Sequence, residues 1–182
     1  NRALKVAHCL NVACTDATRT ILDNAGDVGV LPSITIGVDG LALISYHDIG
    51  NSALKVAHCS NVECTEATKT ILDSDGNVGS DSSITIGADG LGLISYYDDT
   101  NLDLKVAHCS NVACTTAIKT TLDSDGHVGS YTSITIGADG LGLISYYDDT
   151  NDGGLKVAHC TDVACTAATN ITLDSSGIVG HH

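Results

Sequence analysis

Apolar residues in this chain fall in runs of five to seven, separated by clusters of Gly, Asp and Asn. No stretch holds the roughly 3.6-residue period of a helix, so the runs predict strands. The same succession returns about every fifty residues. LKVAHC opens at Leu4, Leu54, Leu104 and Leu155, and the text between those points barely changes. One supersecondary unit has been copied, and the fold is expected to be an array of it.

One unit predicts four strands. Ser83 to Gly87 leads through Ala88-Asp89-Gly90 into Leu91 to Tyr97, and the polar turn Asp98 to Asn101 leads into Leu104 to Cys109. A Cys-flanked turn then leads into Cys114 to Leu122, which closes at Asp123-Ser124-Asp125-Gly126, and a link through Val128-Gly129 reaches the next SITIG. Every junction is short and rich in Asp, Asn or Gly, so consecutive strands should pair antiparallel in a meander. Four strands in forty to fifty residues, repeated, is the period of a β-propeller blade. Unbroken apolar runs suit a blade, because its neighbours cover both faces. The expected fold is therefore all-β, a propeller array of four-stranded antiparallel blades forming one repeat domain over 1–182. With SITIG as the first strand, 33–76, 83–126 and 133–177 make complete blades and 3–26 supplies the last two strands of another, about three and a half blades in all.

The phrases TSITIGADGLGLISYYD and LKVAHC…C…TLDSDG resemble the blade repeats of large secreted bacterial proteins, in the style of sialidase-like and other Asp-turn propellers. The resemblance covers nearly the whole chain. It implies a propeller whose short first strands line the axis, and it implies no single activity. The Asp-Ser-Asp-Gly turns lack the aromatic residue that follows in the sialidase Asp-box. Two arginines, Arg2 and Arg19, also cannot build the bidentate carboxylate site that sialidases use.

Composition refines this picture. An apolar fraction of 43% argues against disorder, yet Phe, Trp and Met are absent, leaving Ile, Leu, Val and Ala with nineteen Gly to fill thin, closely stacked layers. The net charge of −14 leaves no basic stripe for nucleic acid. It serves solubility, or attracts divalent cations or a basic partner. No apolar run approaches the length of a membrane span, and no signal peptide is recognisable. The lack of any Met reads as a processed or excised chain, and His181-His182 as a tag remnant or a natural terminus.

Eight cysteines form four pairs, Cys9 with Cys14, Cys59 with Cys64, Cys109 with Cys114 and Cys160 with Cys165, each across a four-residue turn. Residues flanking a hairpin turn lie opposite each other, close enough for one disulfide per blade. Closing so small a loop adds about 2 kcal/mol per bridge. Zinc is the competing reading, since His8, His58, His108 and His159 each precede the first Cys, but neighbours on a strand point to opposite faces. Even pairing favours disulfides and an extracellular location.

Candidate sites are few. Asp73 with Asp75, and Asp123 with Asp125, offer paired carboxylates on a turn, the start of a weak Ca²⁺ site and the sole cofactor expected. Plain Asp/Gly turn chemistry competes, because the matching turns at Asp23 and Asp174 lack the second carboxylate. No nucleophile and base come together, so the chain reads as non-enzymatic. Two functions fit: a structural, adhesive or protein-interaction scaffold, and a glycan-binding module in which Tyr96, Tyr97, Tyr146 and Tyr147 stack on sugars beside Asp98 and Asp148. Blade-to-blade packing is the other employment for those tyrosines.

The half-blade has no partner within the chain, so its expected partner is a second copy or the rest of a longer propeller. Completion by a second copy predicts a dimer mass in light scattering. A monomer mass with no binding of a hydrophobic-surface dye rejects that form.

Overall fold

The computed structural model describes residues 2–150 and 153–180, and the terminal His181-His182 pair lies outside them. Two strands, β1 (Leu4–Cys9) and β2 (Ala17–Asp23), form a sheet of their own. Three antiparallel meanders follow. The first holds β3 (Val30–Ile36), β4 (Ala42–Asp48), β5 (Ala53–Cys59) and β6 (Ala67–Asp73). The second holds β7 (Val78–Ile86), β8 (Gly92–Asp98), β9 (Asp103–Cys109) and β10 (Ala117–Asp123). The third holds β11 (Val128–Ile136), β12 (Gly142–Asp148), β13 (Gly154–Cys160) and β14 (Ala168–Asp174). The described residues contain no helix. The first strands β3, β7 and β11 abut one another, so the sheets fan outward from a shared line.

The core lies in the seams between sheets. Leu43 and Leu54 of one blade pack with Ile94, Tyr96, Ala107 and Cys109 of the next, and Leu93, Leu104 and Val106 pack likewise with Ile144, Tyr146, Ala158 and Cys160. Covering both faces in this way allows β4 and β8 to be buried along their entire length.

First strands begin earlier than SITIG suggested. β7 starts at Val78 and β11 at Val128, so the stretch read as a link is strand. A break in register between Ser80 and Ser83, and between Ser130 and Ser133, marks a bulge within each. Leu31, Asp81 and Tyr131 sit there with φ of 49°, 51° and 52°. Such a bulge turns one side chain out of the alternation of its strand. Val78 and Val128 are fully buried behind it. Gly79 is obligatory beside Val78, because at φ +95° a Cβ would meet the Leu54 main chain at 2.5 Å.

All four expected disulfides form, Cys9–Cys14, Cys59–Cys64, Cys109–Cys114 and Cys160–Cys165, with Cα atoms 4.8–5.0 Å apart. Their placement corrects the simple hairpin reading, in which the second Cys opens the fourth strand opposite the first. The ladder partners of Cys9, Cys59, Cys109 and Cys160 are instead Ala17, Ala67, Ala117 and Ala168. Cys14, Cys64, Cys114 and Cys165 lie inside the connecting turn, at φ of 52°, 51°, 51° and 54°. There the N–H of Cys14 donates to the Asn11 carbonyl and that of Cys165 to the Asp162 carbonyl, both at 3.0 Å, which closes the tight turn. Each bridge thus ties a strand end to its own loop. Cys64, Cys114 and Cys165 are buried against the preceding blade, whereas Cys14, in the two-stranded sheet that opens the described residues, is exposed.

One polar arrangement crosses every seam. The last strand of each sheet but the final one ends in a buried Asp that accepts the hydroxyl of a Tyr from the second strand of the next blade: Tyr46 to Asp23 at 2.8 Å, Tyr96 to Asp73 at 2.8 Å and Tyr146 to Asp123 at 2.6 Å. A Lys from the following strand completes it, Lys55 at 2.5 Å, Lys105 at 2.8 Å and Lys156 at 2.6 Å, with each ammonium also 5.5–5.8 Å from the Tyr ring centre. Asp48, Asp98 and Asp148 approach the same three ammonium groups at 3.3, 3.5 and 3.7 Å. Burial alone would raise the Asp73 carboxyl, but hydrogen bonds from Lys105, Lys119 and Tyr96 outweigh it and hold the group at about 2.

Asp174 is the same repeat position in the last blade, where it is exposed and bonded to Ser176. Asp73→Ala leaves the buried Tyr96 hydroxyl without its acceptor and Lys105 with Asp98 alone, and should cost about 3 kcal/mol, whereas Asp174→Ala should cost no more than about 1 kcal/mol, read from thermal or urea unfolding. Because the folded Asp73 carboxyl lies below its ordinary value, its stabilisation is intact above pH of about 4 and disappears as pH falls through about 2. Acid destabilisation in that window is the expected result, reduced in Asp73→Asn but still present there because Asp23 and Asp123 are lowered by the same kind of contact.

Candidate functional site

A cleft of about 450 Å³ opens between the second and third complete blades, where the first strands begin and the second strands end. Ser80, Asp81, Tyr97, Asp99, His127, Ser130, Tyr131, Tyr147, Asp149 and Ile178 form its walls. The bulges in β7 and β11 supply Asp81 and Tyr131, and the ends of β8 and β12 supply Tyr97 and Tyr147. His127 comes from the turn between β10 and β11.

These groups hold one another in place. The Tyr97 and His127 rings stack with centres 5.8 Å apart, and the Tyr97 hydroxyl lies 2.6 Å from His127 Nε2. Tyr131 meets Tyr147 edge to face at 6.1 Å. The Ser80 hydroxyl donates to Asp99 at 2.6 Å, the Tyr131 N–H donates to Asp81 at 2.8 Å, and the Tyr147 hydroxyl donates to Asp149 at 3.3 Å. The Tyr97 phenol is pushed up to about 12, by burial first and then by Asp99 and Asp149. It stays protonated through the physiological range and can donate a hydrogen bond.

The tyrosine pairs read from the sequence are split by this arrangement. Tyr97 and Tyr147 line the cleft, but Tyr96 and Tyr146 are fully buried in the seams with their hydroxyls on Asp73 and Asp123. Adjacent residues on a strand face opposite ways, so only one of each pair can meet a ligand. Asp98 is buried and accepts from Asn101, and Asp148 accepts the Thr150 N–H, so these two shape the turn after the second strand. The neighbours Asp99 and Asp149 face the cleft instead.

The Ca²⁺ reading loses its ligands in the same way. The Asp73 carboxylate is taken by Tyr96, Lys105 and Lys119, and that of Asp123 by Tyr146 and Lys156. Asp75 and Asp125 contribute only their N–H groups to those carboxylates. Among the described residues, no three His, Cys, Asp or Glu side chains converge as metal ligands. The cysteines are all in disulfides, and His58, His108 and His159 instead reach Asp39, Asp89 and Asp139 at 2.8–2.9 Å.

Sequence reading missed Asp81, His127 and Tyr131, and saw Asp99 and Asp149 only as turn carboxylates beside Asp98 and Asp148, although the chain carries a signal for them. The ten wall residues occupy five repeat positions, and all five change between units. Their counterparts run Val30, Ser80, Ser130; Leu31, Asp81, Tyr131; His47, Tyr97, Tyr147; Ile49, Asp99, Asp149; and Asp27, Asn77, His127, Ile178. The polar residues that cross the seams do not change: Asp stands at 23, 73 and 123, Tyr at 46, 96 and 146, and Lys at 55, 105 and 156.

Outward-fanning four-stranded meanders packed face to face, with first strands at a common line, define the β-propeller class. Several solved structures are similar to this chain. A protein of unknown function from Dyadobacter fermentans superposes with a TM-score of 0.65 at 14% identity, covering 88% of this chain and 44% of that one. A GH43 β-1,3-galactosidase gives 0.62 at 13% identity, covering 88% and 38%. An exo-β-1,3-galactanase from Phanerochaete chrysosporium gives 0.56 at 11% identity, covering 82% and 39%. At these identities the likeness establishes the fold alone, and the chain spans less than half the length of each of the three. No family model and no curated protein matches the sequence.

With Asp73 and Asp123 neutralised by lysine, added Ca²⁺ or EDTA should leave the melting temperature unchanged. A calcium-dependent rise in Tm would return those turns to the list of metal sites.

Proposed function

We propose that this chain belongs to an extracellular β-propeller that works by binding, with disulfide-stapled blades as scaffold and the cleft between the second and third complete blades as recognition site. One observation carries the reading: each of the five repeat positions that line the cleft differs in at least one unit, while the Asp, Tyr and Lys that cross the seams are kept. Copying a scaffold and altering the same five positions is what specialising a surface requires. The volume also falls within the range of small-ligand sites. Four disulfides favour an oxidising, extracellular setting.

The role proposed is a non-enzymatic one. Glycoside hydrolysis calls for an acid with a raised pKa facing a second carboxylate across the substrate. The Asp103 carboxyl is held above its usual range, by burial first and then by Asp98, but it does not line the cleft. Faces left uncovered at the two ends of the array, marked by Ile34 at 57% exposed and Leu173 at 62%, are read as seats for further blades of the same kind. Those blades come from a longer propeller or a second copy.

Glycan binding is the second reading, favoured by the galactosidase and galactanase names among the fold neighbours and by tyrosine rings beside carboxylates. Two measurements test these statements together. Incubation with β-1,3-galactan should release no reducing sugar above a heat-denatured control, and release above it overturns the binding-only role. On a glycan array, dose-dependent binding lost in Tyr97→Ala and Tyr147→Ala selects the glycan reading, whereas silence with concentration-dependent assembly selects the protein scaffold.

A further inference from the structure

Throughout the seams this chain pairs each buried carboxylate with an ammonium. Asp23, Asp73 and Asp123, and also Asp48, Asp98 and Asp148, each have a Lys within 4 Å. The cleft carboxylates, half-buried at Asp81 and Asp99 and exposed at Asp149, lack that pairing. Asp81, Asp99 and Asp149 stand in its walls, and no Lys or Arg stands with them among the wall residues. The Ser80 hydroxyl, the Tyr131 N–H and the Tyr147 hydroxyl donate to them, neutral groups that orient a carboxylate without cancelling its charge. His127 is the one wall residue able to become cationic, 3.4 Å from Asp149.

The field of these carboxylates reaches past the walls. Asp99 and Asp81 also act on His47, which is 7% exposed and whose Nε2 has no hydrogen-bond partner among the described residues. Burial nevertheless dominates there and holds that imidazole below its usual range, so it leaves the local negative charge standing.

Beside the three carboxylates stand the rings of Tyr97, Tyr131 and Tyr147. Aromatic faces attract cations that carry an organic surface, and carboxylates pair with the same group. We propose that the cleft binds an organic cation, an ammonium or guanidinium group, against Tyr97, Tyr131 and Tyr147 with Asp81, Asp99 and Asp149 as counter-charges. This deepens the reading of the cleft as recognition site and rests on it. A neutral sugar would use the rings but enclose three carboxylates with no counter-ion. A small, strongly hydrated metal ion would gain little from the rings, and the carboxylates do not converge on one point.

Leu31 fills the bulge position of the first complete blade at φ 49°, so leucine is a tolerated occupant there. Asp81→Leu and Tyr131→Leu are therefore the informative variants, with Asp99→Asn as a third that leaves the bulges untouched. Titration calorimetry of the whole chain at low ionic strength would use spermidine, an Arg/Lys tetrapeptide with blocked termini, and β-1,3-galactotriose. The expected result is binding of at least one cationic probe, weakened about tenfold in each variant while the melting temperature holds. Preference between spermidine and the tetrapeptide tells a free polyamine from a basic side chain. Equal affinity in wild type and all three variants means that cations gather on the general acidic surface, which overturns the proposal. Binding of galactotriose alone, lost in Tyr131→Leu, overturns the cation but keeps the cleft as recognition site. No binding of any probe by the wild-type chain defeats both.

Discussion

The Asp–Tyr–Lys contact across each seam is the constraint on which the remainder of this structure depends. A carboxylate in a seam made of Leu, Ile and Val would be costly unless its charge and lone pairs were met. Here the next blade brings both partners, a phenol from its second strand and an ammonium from its third. A buried terminal Asp receives only an N–H from its own turn and takes its Tyr and Lys from the next blade, so correct stacking is rewarded and slipped stacking leaves a buried ion without its counter-charge. Apolar contact supplies most of the cohesion, while this contact sets the register of blade upon blade. With only Tyr as a large side chain, its phenols both fill volume and carry that polar instruction.

A register fixed so firmly frees other positions. The bulge residue in each first strand lies outside both the ladder and the seam, and it has become Leu, Asp or Tyr without altering the φ of about 50° that it shares across blades. The position after the second strand likewise moved from Ile49 to Asp99 and Asp149. The cleft is thus assembled from the places where the fold makes the weakest demands. Stability and recognition are carried by separate positions of one repeat.

Much of the architecture was legible because turn chemistry and the fifty-residue period are local signals. The meander, the four Cys pairs and the blade count in the described chain all follow from them. Details that depend on a neighbouring blade were not legible. Nothing local in Asp73-Ser74-Asp75-Gly76 says that two lysines, 32 and 46 residues onward, will occupy its first carboxylate, and so it resembled the beginning of a calcium loop. Tyr96 and Tyr97 look interchangeable as text, yet the pleat sends one into the seam and the other to the cleft. The start of β7 at Val78 was hidden by a bulge that interrupts alternation, which is the property that later placed Asp81. Cys14 and Cys165 were paired correctly but set at a strand start, because spacing alone does not reveal that the turn holds them at positive φ. Copies disagree at the cleft positions but also outside it, as at Leu10, Ser60, Ser110 and Thr161, so variation alone does not single the cleft out.

The disulfides tie each strand end to its own loop, with the two cysteines always five residues apart. Eight cysteines permit about a hundred pairings, and four nearly identical copies offer no side-chain code to tell one loop from another. Proximity along the chain supplies the missing discrimination, because a thiol meets the partner in its own turn far more often than any other. Oxidation can therefore proceed unit by unit as the polypeptide emerges, indifferent to how many units follow. A protein lengthened by duplication would inherit correct cross-linking with every added copy, without needing an isomerase to sort one repeat from the next.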